Sequence, residues 1–71
     1  MKNVDMKKIG WTCQEFRQSI GIRQVDVADE TGYDKGSISA FENGRTNNCA
    51  LFLWYVAHGL TFELLKEKGV I

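Results

Sequence analysis

The chain has 71 residues, is 44% hydrophobic and 25% charged, and contains no proline. A body this small buries only roughly 60% of its extended surface on folding, so its apolar residues are needed for a core and leave little for a deep substrate cavity. Nine basic and nine acidic side chains cancel, which excludes a highly charged disordered chain and argues against strong non-specific adhesion to nucleic acid.

The neutrality is uneven along the chain. Lys2, Lys7, Lys8, Arg17 and Arg23 outnumber Asp5 and Glu15 before residue 26, whereas Asp26, Asp29, Glu30, Asp34 and Glu42 follow. Cys13 and Cys49 stand far apart, without a partner at metal spacing, and read as reduced thiols of a cytoplasmic protein. No apolar run follows the N-terminal lysines, so no signal peptide is expected. The least charged stretch, 47–62, is too short and polar-ended to span a bilayer, so no membrane partner is expected.

Residues 1–11 are polar and lack a helical period, and read as an N-terminal arm ordered near Ile9 and Trp11. Thr12 with Glu15 three residues on is a capping-box pattern, which starts a first helix and opens a domain over 12–68. Cys13, Phe16 and Ile20 give it a buried stripe, and Gly21 stops it. A second helix runs from about Gln24 to Thr31 with Val27 and Ala28 inward, and Gly32 ends it. Asp34 then caps a third helix with Ile38 and Phe41 inward and Gly44 as its stop.

The connection between the second and third helices is as tight as a helix-turn-helix requires. A fourth helix, about Cys49 to His58, is apolar nearly all round, and Thr61 caps a short fifth with Phe62, Leu64 and Leu65. The fold expected is all-α, a compact bundle of about five short helices around a central helix-turn-helix.

Phe16-Arg17, Gly21-Ile22-Arg23-Gln24, Val27-Ala28, Gly32, Ile38-Ser39, Phe41-Glu42-Asn43-Gly44 and Gly59-Leu60-Thr61 share one register. In order and spacing they resemble the Cro and repressor-type helix-turn-helix proteins of phages, lambda repressor among them. The resemblance covers about fifty residues. It implies double-stranded DNA as partner, transcription regulation by repression as output, and a third helix, Asp34 to Asn43, lying in the major groove.

Carried over by position, the base readers are Lys35, Gly36, Ser37 and Ala40. Gly36 and Ala40 depart from the longer polar side chains common there, which shifts recognition toward methyl contact and DNA shape. Gln24 matches the family's phosphate-clamping glutamine at a helix N-terminus. Arg23 departs from the usual small cap and adds a phosphate contact, while Asn43, Arg45 and Thr46 match the loop that grips the backbone. Arg17 and Glu42 fall where the family carries an ion pair joining the first and third helices.

The family usually binds as symmetric dimers, which implies a weak homodimer here. Trp54, Tyr55, Phe62, Leu65, Val70 and Ile71 exceed what a small bundle easily buries and are its expected contacts.

An enzyme is not expected. His58 is the only histidine, the carboxylates are scattered, and there is neither a glycine-rich phosphate loop nor a metal cluster, so no cofactor is implied. Glu63, Lys66, Glu67 and Lys68 read as solvated faces. The alternative function is a small adaptor or antagonist that binds another regulatory protein on the same helical fold. Net neutrality, Gly36, Ala40 and the acids from Asp26 to Asp34 favour that alternative.

Overall fold

The computed structural model describes residues 5–71. Five helices follow one another: α1 (Met6–Ser19), α2 (Gln24–Thr31), α3 (Lys35–Glu42), α4 (Cys49–Ala57) and α5 (Phe62–Glu67), with no strand among the described residues.

The start of α1 corrects the sequence reading. Asp5 is its cap, accepting from the amides of Lys7 at 3.0 Å and Lys8 at 3.4 Å. Residues 6–11, read as an arm, are the first turns of a helix, and residues 1–4 of that arm lie outside the described residues. Thr12 and Glu15 do not form a capping box. The helix has already been running for two turns where they occur, so the amides they would satisfy are bonded within it. Thr12 is instead buried, and Glu15 reaches Lys68 Nζ at 2.8 Å.

The later caps are local and strong. Asp34 accepts from the Ser37 amide, Asn48 from Leu51 and Thr61 from Leu64, each satisfying an amide that the first turn leaves free. Gly32 ends α2 with φ 80°, a left-handed conformation that lets the chain turn within Gly32, Tyr33 and Asp34 before α3 begins.

Cys13, Val27, Ile38, Phe41, Leu51 and Tyr55 form an inaccessible centre drawn from the first four helices. Trp54, Leu60, Leu65 and Val70 close it from the C-terminal side. Of the expected dimer contacts, Trp54, Tyr55, Leu65 and Val70 are thus buried in the core of the chain itself. Helix α4 buries Leu51, Trp54 and Tyr55 and leaves Leu53 and Val56 exposed on its other side, and the chain after α5 returns Val70 to the core. Of the expected contacts, Phe62, 73% exposed, and Ile71, 51% exposed, lie on the surface. His58, at the end of α4, stacks its ring on Trp54 at 3.9 Å between centroids.

Two glycines set how α1 meets α3. A Cβ on Gly10 would lie 2.5 Å from the Phe41 carbonyl oxygen and 2.6 Å from that of Glu42, so α1 backbone rests directly on the last turn of α3. A Cβ on Gly44, just beyond α3, would lie 2.7 Å from Lys7 Cα. No side chain fits at either place.

Candidate nucleic-acid interface

The inner face of α3 is Ile38, Phe41 and Glu42, all buried. By the helical period Gly36 and Ala40 lie opposite that stripe, whereas Lys35 and Ser37 flank it at the start of the helix. Lys35 and Gly36 are fully on the surface, while Ser37 and Ala40 are half-covered. Asp34 accepts from the Ser37 amide at 2.7 Å, and this bond to the helix backbone holds its carboxyl below the usual carboxylate range. The carboxylate therefore satisfies one of the amides that the first turn of α3 leaves free.

Below that surface, Glu42 gathers a network. Arg17 Nε donates to Glu42 Oε2 at 2.8 Å and its Nη2 to Oε1 at 3.0 Å, a two-pronged pair with the carboxylate inaccessible. Arg17 Nη1 also donates to the Ile22 carbonyl at 2.9 Å, which ties the turn after α1 into the pair. The Tyr55 hydroxyl donates to Oε2, and Gln24 Nε2 donates to Oε1 at 3.1 Å. One carboxylate thus joins α1, α2, α3 and α4. The bond to Glu42 raises the Arg17 guanidinium further above its ordinary value, against the opposing effect of burial.

Sequence reasoning did not find Gln24 or Tyr55 as partners of Glu42. The signal was present in part: Glu42 lies one turn from Ile38 on the inner stripe, and a tyrosine in a wholly apolar helix needs a partner for its hydroxyl.

The other phosphate-contact residues are arranged around this centre. Gln24 opens α2, half-buried, with its amide nitrogen turned inward to Glu42. Arg23 is exposed, but Asp26 accepts from its backbone amide at 3.0 Å and from its guanidinium at 3.2 Å. The Arg23 guanidinium holds the Asp26 carboxyl low. Asn43 folds back, its Nδ2 donating to the Ser39 carbonyl at 2.8 Å. Arg45 and Thr46 stand free on the surface just past Gly44.

Two short helices joined by a left-handed glycine, the first beginning at a buried ion pair and the second with its first residues exposed, decide the class of this segment. Residues 14–47 match the family model described as Helix-turn-helix. The segment is a helix-turn-helix of the Cro and repressor type. The matched residues take in the second, shorter part of α1, all of α2 and α3, and the loop through Asn47. The helix-turn-helix family is one of DNA-binding transcription regulators. No curated protein and no solved structure matches the chain. Among the described residues, no helix is long and apolar enough to cross a membrane.

Proposed function

We propose that the chain is a sequence-specific DNA-binding repressor that inserts the first turns of α3 into a major groove. The observation that carries this reading is the first turn of α3, with Lys35 and Gly36 exposed and Ser37 half-covered, held on a helix whose Ile38, Phe41 and Glu42 are buried. Lys35 donates to guanine O6 and N7, and Ser37 to several base edges. Gly36 and Ala40 admit the groove wall closely and read methyl groups and shape. The first amides of α2, the Gln24 side chain, Arg23, Asn43, Arg45 and Thr46 take the flanking phosphates. Exclusion of a competitor from the occupied site is sufficient for repression.

One such module covers about half of a palindromic site, so the bound form is a dimer of this chain. Leu53 and Val56 on α4 and Phe62 on α5 are its contact residues, 59%, 43% and 73% exposed respectively. Phe62 borders an apolar cleft formed with Phe52, Val56, Leu60, Thr61 and Leu65, suited to a like side chain from a second copy.

The Arg23–Asp26 pair and the acids of α2 favour a second reading, a protein-binding adaptor. Titrating random duplex DNA against salt separates the two. The DNA reading expects binding at low salt with a log–log slope of about −2 to −3 per chain, from Arg23, Lys35 and Arg45. Absence of binding at low salt refutes it and leaves the adaptor. Selection from a DNA library then identifies the operator.

A further inference from the structure

The extension of α1 toward the N-terminus brings a cation to the loop after α3. Lys7 lies on the same stripe of α1 as Gly10 and Arg17, the residues that dock this helix on α3. Its backbone and Cγ rest against Gly44, within 2.9 Å of where a Cβ would stand, and Gly44 adopts φ 74°. Arg45 and Thr46 follow at once, both exposed. Lys7 is itself exposed, and the nearest acid in sequence, Asp5, has its carboxylate engaged with the amides of Lys7 and Lys8. No ion pair among the described residues involves Lys7.

We propose that Lys7 is a further phosphate-contacting residue, which with Arg45 and Thr46 grips the DNA backbone beside the end of α3. The proposal rests on the DNA-binding reading above and extends its contact surface onto α1. An ammonium on a flexible stem suits this task, since it follows a phosphate without demanding one orientation. A backbone contact of this kind positions the protein and carries no sequence information.

Lys8 supplies the control. It is adjacent in sequence, but its Nζ lies 3.6 Å from where a Cβ on Gly69 would stand, beside the end of α5 and away from Gly44. It also borders a shallow cleft with Trp11 and Lys68.

The experiment measures affinity for duplex DNA across a salt series for the wild type, Lys7→Gln, Lys7→Arg and Lys8→Gln, with circular dichroism to establish that each is folded. Lys7→Gln is expected to make the log–log slope shallower by about 1, weakening binding roughly fivefold to tenfold at 0.1 M salt and equally for all sequences. Lys7→Arg keeps the wild-type slope, and so does Lys8→Gln. A Lys7→Gln line parallel to a steep wild-type line overturns the assignment of Lys7 and leaves the rest of the interface standing. Equal losses in Lys7→Gln and Lys8→Gln overturn it too, since they reflect overall charge. A wild type that does not bind at low salt overturns the interface as a whole.

Discussion

The Tyr55 hydroxyl donates to Glu42 inside the core, on the same carboxylate oxygen that Arg17 Nε holds at 2.8 Å. Burial, followed by the bond to Glu42, raises the Tyr55 hydroxyl well above its ordinary range, which favours its protonated, donating form. Arg17→Ala would leave an inaccessible carboxylate without its cation. The expected loss is about 3–5 kcal/mol. Tyr55→Phe removes one donor and leaves the pair intact, so it should cost about 1.5–3 kcal/mol. Urea unfolding of both variants tests the ranking, and a Tyr55→Phe protein less stable than Arg17→Ala would contradict it.

Lys35→Ala and Gln24→Ala should weaken DNA binding in different ways. Loss of a base-reading contact costs about 1–3 kcal/mol on the preferred site and flattens preference at that position. Gln24→Ala should weaken all sites alike. It should also lower stability, because Gln24 Nε2 donates to Glu42 at 3.1 Å. Binding must therefore be compared at a temperature where both variants are folded. Unchanged affinity in both, on the best site, would place the reading face elsewhere.

The two thiols should differ sharply in reactivity. Cys13 is inaccessible, and burial with the nearby Glu42 charge pushes its thiol up to about 12. Cys49 is exposed at the start of α4. An aromatic disulfide reagent near pH 8 should titrate one thiol per native chain and two in denaturant. Rapid reaction of both in the native protein would show the core to be open.

Phe62→Glu places a charge where the proposed dimer meets. Phe62 is 73% exposed, so the folded monomer should lose little stability. Sedimentation should show a monomer at concentrations where the wild type associates, and binding to a palindromic site should lose its cooperativity. Identical sedimentation of the two proteins, both dimeric, would remove α5 from the contact.

Acid should loosen the start of α3. The Asp34 carboxyl lies below the usual range because the Ser37 amide bonds its charged form. A group whose folded value is depressed stabilises the fold above its unfolded value, about 3.9 for Asp, and that stabilisation is lost as pH falls through the folded value. The Ser37 amide resonance should follow this titration in the native protein. In Asp34→Asn, which keeps an acceptor without a charge, the acid-dependent shift should vanish.

What could be read from sequence was whatever is encoded locally. The bounds of α2 and α3 depend on Gly32, Asp34 and Gly44, each acting within a few residues of its own position. The outward placement of Gly36 and Ala40 follows from the period of Ile38 and Phe41, whereas Lys35 is exposed at the first position of the helix. The start of α1 was misread because Thr-x-x-Glu has the same spelling inside a helix as at its beginning. The local signal for the earlier start, Asp5 as a cap residue with Ile9 one turn before Cys13, was passed over. The inward turn of Gln24 was hidden for a different reason: its partner is eighteen residues away, and only the folded chain brings them together. The C-terminal aromatic and aliphatic residues looked excessive because counting apolar residues does not reveal that Val70 returns to the core.

The backbone contact at Gly10 has a consequence for how such a protein evolves. A joint filled by side chains can be retuned in small steps, since rotamers and methyl groups shift to absorb each change. At Gly10 there is nothing to retune: the carbonyls of Phe41 and Glu42 lie where any Cβ would go. The tilt of α3 relative to α1 is therefore inherited whole. New binding preferences in descendants of this chain should arise by exchanging Lys35, Gly36, Ser37 and Ala40 on an unmoving mount, and seldom by tipping the helix that carries them.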